Sequence, residues 1–159
     1  MITEQDRQHL KRCVELAEAG LNAGDEPFGS VLVSADGKVL FEDHNHVSGG
    51  DGTRHPEFEI ARWAAEHLTP EERQHATVYT SGEHCPMCAA AHAWVGLGRI
   101  VYASSSEQLA AWLSAMNVAS PPVKTLPIQA VAPGVQAEGP VPDLAEQVHQ
   151  LHRRRHGVA

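Results

Sequence analysis

Two cysteines three residues apart, Cys85 and Cys88, stand in the stretch SGEHCPMCAAAH at 81–92. Two thiolates are half of a closed structural zinc site, which takes four protein ligands, so other parts of the chain must supply the remainder. Pro86 marks the start of a predicted helix, and the i, i+3 spacing puts both sulfurs on one face. A helix N-terminus also lowers a thiol pKa, which favours thiolate and metal ligation. The other half is RHPEFEI at 54–60, where His55 precedes Pro56 at the start of a second predicted helix. Two helix N-termini side by side can converge on one metal. One nitrogen and two sulfurs make a three-ligand zinc site with an open position for water, which zinc acidifies toward neutral pH. Glu57 lies two residues beyond His55, about 200° around a regular helix, and so suits a non-ligand role as a proton carrier.

The elements that must position these groups follow from periodicity. Residues 3–23 predict a helix, with Leu10, Val14, Ala17 and Leu21 at helical spacing. Residues 28–34 and 38–44 predict two strands joined across Asp36-Gly37, a strong hairpin signal. Residues 45–54 are a glycine-rich loop. Helices are expected over 56–68, 86–97, 106–116 and 142–155, and strands over 76–81, 99–104 and, as a last strand, 126–132. A helix, a hairpin and then alternating helices and strands predict a three-layer α/β/α domain with a mixed central sheet. The 159 residues suit a single domain, with 117–159 a C-terminal extension in which Pro121-Pro122 marks a mobile loop.

Composition narrows the function classes. No apolar run is long enough to span a bilayer, and MITEQDRQHLKRC lacks the apolar core of a signal peptide, so a cytoplasmic location is expected. Three cysteines, an odd number, suit metal or catalysis rather than disulfides, and Cys13 reads as a small buried hydrophobe. The net charge of −8 argues against a nucleic-acid partner, and the one basic cluster, HRRRH at 152–156, reads as a solvated helix end.

The pair His55-Pro56-Glu57 and Cys85-Pro86-Met87-Cys88 resembles the zinc-dependent cytidine deaminase superfamily, whose signature is H-x-E followed by P-C-x-x-C with the glutamate as proton shuttle. The resemblance spans roughly residues 5 to 115 and is closest to the guanine deaminase and tRNA adenosine deaminase branch. EPFGSVLV (26–33) is similar to that branch's first-strand motif, and CPMCAAAHAW resembles guanine deaminase in particular. The resemblance implies that Zn²⁺ sits on His55, Cys85 and Cys88, that Glu57 is catalytic, and that Asn45 reads the base edge. It further implies that Phe28, Pro56 and Trp94 line the base pocket. Residues of the bland kind compete at some positions: Asn45 also suits the start of a turn, Trp94 a core position, and Glu83 either a hydrogen bond near the site or solvent.

Two departures stand out. His84 precedes the first cysteine where the family usually has proline, and Pro56 occupies a place usually held by alanine or glycine. Proline removes the backbone N–H that relatives offer to the base, which leaves the substrate open. The resulting expectation is hydrolytic deamination of a free nucleobase or a similar amino-heterocycle: guanine, a modified purine or pyrimidine, or an aminotriazine. A tRNA adenosine deaminase and a non-catalytic zinc-stabilised interaction domain are the alternatives. The resembled branch also implies a homodimer paired through the helices that carry the zinc ligands.

Overall fold

A computed structural model describes residues 1–158. The first helix, α1 (Glu4–Asn22), starts on a capping box: the Thr3 hydroxyl accepts the Asp6 N–H and the Asp6 carboxylate accepts the Thr3 N–H. Its buried stripe of Leu10, Cys13, Val14 and Ala17 lies on the sheet. Gly29 permits that approach, because a Cβ there would collide with the Cys13 carbonyl and the Ala17 amide. The hairpin forms as predicted: β1 (Gly29–Val33) and β2 (Val39–His44) pair antiparallel, and Gly37 takes a positive φ in the turn.

The remaining elements are a 3₁₀ turn (Val47–Gly49), α2 (Pro56–His67), α3 (Pro70–Gln74), β3 (Thr77–Gly82), α4 (Pro86–Trp94), β4 (Ile100–Ser104), α5 (Ser106–Ala115), α6 (Ile128–Val131), β5 (Ala137–Glu138) and α7 (Pro142–Arg155). The sheet order is β2-β1-β3-β4-β5, with β1 antiparallel to both neighbours and β3, β4 and β5 parallel. This is the mixed three-layer arrangement expected. Val31, Val33, Tyr79, Val101 and Ala103 face α1 and α7, while Leu32 and Val78 pack with Ile60, Ala61 and Ala64 of α2. α7 joins the α1 side through Leu144, Val148 and Leu151, so residues beyond 115 share that core.

Two expectations are corrected. The segment 126–132 is not a strand; it forms the short helix α6, and the last strand is Ala137–Glu138. The cause is a long-range contact, since the Ile128 N–H donates to Glu83 at 2.8 Å and Ile128 is fully buried with Ala89 and Ile100. The short helix α3 was also not expected; Thr69 caps it and Pro70 opens it. No helix among the described residues is long and apolar enough to cross a membrane.

Candidate active site

His55 is the N-cap of α2 and Cys85 the N-cap of α4, each in extended backbone ahead of a proline at the first helical position. The two helices pack against each other and bring both caps to one place. His55 Nδ1 lies 3.6 Å from Cys85 Sγ and 3.5 Å from Cys88 Sγ. In a tetrahedral zinc site, bonds of about 2.3 Å to sulfur and about 2.0–2.1 Å to nitrogen put those atoms about 3.6 Å apart. The three residues therefore fit one zinc ion. Cys85 is lowered to about 4, chiefly because the Cys88 thiol donates to it, with burial opposing and His55 assisting. Cys88 is pushed up by the same neighbour and by burial. Both sulfurs must be deprotonated to hold a metal dication, so metal binding here is coupled to proton release.

Glu57 is 5% exposed on the first turn of α2. Ser30 of β1 donates to its Oε1 at 2.8 Å and Thr80 of β3 donates to the same oxygen at 3.0 Å. Burial raises the Glu57 pKa, against the charge of His55 and the hydroxyl of Ser30. One oxygen is anchored, which leaves Oε2 to carry a proton. Neither Ser30 nor Thr80 was singled out from the sequence. Their signal is a buried hydroxyl on the strand face that meets α2, clear for Ser30 in the otherwise apolar β1 and weaker for Thr80, since β3 also carries Thr77 and Ser81.

The other expected site residues divide. Pro56 is buried beside His55 and Glu57. Asn45 is 2% exposed, and its Oδ1 accepts the Val47 N–H at 3.0 Å. The turn reading of Asn45 is the one seen in this contact, which uses only its Oδ1. Phe28 is half-buried against Gly82 at the end of β3 and edge-on to His152 of α7, with ring centroids 5.2 Å apart. Trp94 is not brought together with these groups within the chain. It is 89% exposed at the end of α4, about 9 Å along the axis from Cys88. It lines a groove of about 550 Å³ with Ala90, Ala93, Leu97 and residues 131–135.

His84 is 1% exposed, and neither ring nitrogen has a hydrogen-bond partner among the described residues. Its ring meets His92 edge-on at 5.4 Å, and burial drives its pKa well down, so it is neutral. Glu83 is not merely solvated: its two oxygens accept the Ser106 and Ile128 N–H groups at the starts of α5 and α6.

One histidine and two cysteines that could hold a metal ion, with a buried carboxylate beside them on a mixed α/β/α sheet, match the arrangement of the zinc deaminases. Residues 3–104 match the family described as the cytidine and deoxycytidylate deaminase zinc-binding region, and the chain belongs to it. It is 27% identical to a probable cytosine deaminase of Schizosaccharomyces pombe, over 89% of this chain and 91% of the relative. It is 40% identical to a guanine deaminase of Bacillus subtilis, over 60% of this chain and 62% of the relative. A tRNA-specific adenosine deaminase of Agrobacterium fabrum is 34% identical over 74% of this chain and 78% of its own. Among solved structures, a guanine deaminase from Nitrosomonas europaea shares the fold, with a TM-score of 0.70 at 19% identity, covering 99% of this chain and 86% of that one.

Proposed function

We propose that the chain, read over 1–159 as one deaminase unit, hydrolyses the exocyclic amine of a free nucleobase or nucleobase-like amino-heterocycle and releases ammonia. The observation that carries this reading is Glu57, buried beside the triad with Oε1 pinned by Ser30 and Thr80. His55, Cys85 and Cys88 would hold the zinc ion, which would supply the Lewis acidity that activates water. Glu57 Oε2 takes one proton from the attacking water and gives it to the ring nitrogen. It then takes the proton of the new hydroxyl and gives it to the amine, which leaves as ammonia while the ring carbonyl forms. Burial suits the carboxyl to hold each proton in turn. The positive end of the α4 helix dipole favours the negative charge that develops at the ring. Asn45 offers Nδ2 to an acceptor on the base, while Phe28 and Pro56 supply apolar walls.

Charge supports a small base over an RNA. The net charge is −8, and two of the arginines in the C-terminal basic cluster are paired internally, Arg154 with Glu18 and Arg155 with Glu26. The similarity to tRNA-specific adenosine deaminases supports the second reading.

The test is ammonia release by the zinc-loaded protein from guanine, cytosine, modified purines and pyrimidines, aminotriazines and a tRNA anticodon stem-loop. Turnover of a free base and none of the RNA is expected. Turnover of the RNA alone establishes the second reading, and zinc binding without any turnover leaves a non-catalytic zinc-stabilised domain.

A further inference from the structure

A second group of ligand-type side chains flanks Asn45, apart from the triad. One ligand atom from each of Asp25, His44 and His46 lies within 4.8 Å of the others. Local structure assembles the group. The Asp25 N–H donates to the Gly20 carbonyl at 2.9 Å, folding the chain back over the end of α1. Gly20 leaves room for the ring of His44: a Cβ there would stand 3.2–3.3 Å from it. His44 is the last residue of β2, and the rings of His44 and His46 have centroids 4.3 Å apart.

Each side chain is also oriented by a partner that leaves it an electron pair. His44 Nδ1 donates to the Asn45 carbonyl at 2.8 Å, which places the lone pair on Nε2. His46 Nε2 faces Asp43 Oδ1 at 2.9 Å, which places the lone pair on Nδ1. Asp25 Oδ1 accepts the Ser48 N–H at 2.8 Å, and a carboxylate with about four lone-pair sites has capacity to spare. Hydrogen bonds of this kind fix the tautomer and direction of histidine and carboxylate ligands in metal sites.

We propose that Asp25, His44 and His46 bind a second divalent ion of the first transition row. Two imidazoles and a carboxylate suit zinc, nickel or copper, whereas magnesium and calcium take oxygen ligands. Bonds of about 2.0–2.2 Å put the ligand atoms about 3.5 Å apart, so from separations of up to 4.8 Å the side chains draw together by up to about 1.3 Å on binding. His46 has the freedom to do so, since its side chain is 43% exposed. The ion ties the α1–β1 loop to the end of β2 on both sides of Asn45. The His46 N–H also donates to the Arg54 carbonyl at 3.0 Å, one residue before His55, so the ion restrains the loop that connects Asn45 to the triad.

The experiment starts from protein holding one zinc per chain at the triad, verified by elemental analysis, and titrates it calorimetrically with zinc chloride. One further equivalent is expected, with a rise in melting temperature. His46→Gln and Asp25→Asn each weaken that second equivalent at least about tenfold, as loss of a ligand or its orienting partner does. In both variants the first equivalent stays, together with the thiolate-to-cobalt charge-transfer band of the cobalt-substituted protein. Wild-type protein that takes up no second equivalent overturns the proposal. So does a second equivalent that keeps its full strength in both variants, since it then resides on other surface histidines.

Discussion

Glu57 and Pro56 are neighbours with separable roles, and single substitutions distinguish them. Glu57→Gln keeps an oxygen for the Ser30 and Thr80 hydroxyls, so fold and zinc content stay. It loses the titrating group. Turnover is expected to fall by at least about 10²–10⁴-fold, read as ammonia release alongside elemental analysis. A near-wild-type rate with full zinc excludes the proton-carrier role. Pro56 presents carbon where an alanine would present a backbone donor. Pro56→Ala is expected to change the ratio of kcat/KM among bases, favouring those with an acceptor at that edge, because an unpaired buried polar group costs about 1–3 kcal/mol. An equal factor for every base reduces Pro56 to a helix-starting residue.

At the scale of elements, one carboxylate holds the segment that the sequence did not reveal. Glu83 accepts the first N–H of both α5 and α6. Glu83→Ala is expected to cost about 2–3 kcal/mol, a melting temperature about 5–10 °C lower, with Glu83→Gln retaining about half of the effect because its amide has one acceptor oxygen. α7 carries an acid-sensitive contact. His152 is 2% exposed between Phe28 and Trp112, and burial, then the charges of His156 and His149, lower it to about 4. The unfolded chain binds that proton near pH 6.5, so the contribution is full above 6.5 and is lost as pH falls toward 4, by up to about 3 kcal/mol. Melting temperature against pH is expected to be flatter over this window in His152→Gln. It stays sloped, because His84 and His92 are depressed in the same way. An unchanged slope removes His152 from the account.

Among the described residues, one large aromatic is exposed to solvent. Trp94 lies on the helix that carries the zinc-ligand cysteines, with Ala90, Ala93, Leu97 and Val135 around it. We infer that this face pairs two copies of the chain, a use that suits an exposed apolar patch. Light scattering at micromolar concentration is expected to give twice 17.2 kDa for the wild type and a single chain for Trp94→Glu. A monomeric, fully active wild type contradicts the pairing.

The triad and Glu57 were legible because they depend on local rules. A proline after each helix cap and the i, i+3 spacing of Cys85 and Cys88 are written locally, and the family resemblance joins the two motifs. The packing of α2 on α4 is what brings His55 to the cysteines across 30 and 33 positions. The mixed sheet was legible from the hairpin followed by alternating strands and helices. What the tertiary structure decided are contacts between residues far apart in sequence. Ser30 and Thr80 reach Glu57 across 27 and 23 positions, and Glu83 turns 126–132 from an expected strand into a helix start 45 residues away. Trp94 shares a helix with Cys88 yet faces solvent, because six residues carry it about 9 Å beyond the metal ligands. Short-range geometry is written in spacing. Which distant hydroxyl, carboxylate or histidine completes a site depends on how the layers stack, and no local pattern encodes that.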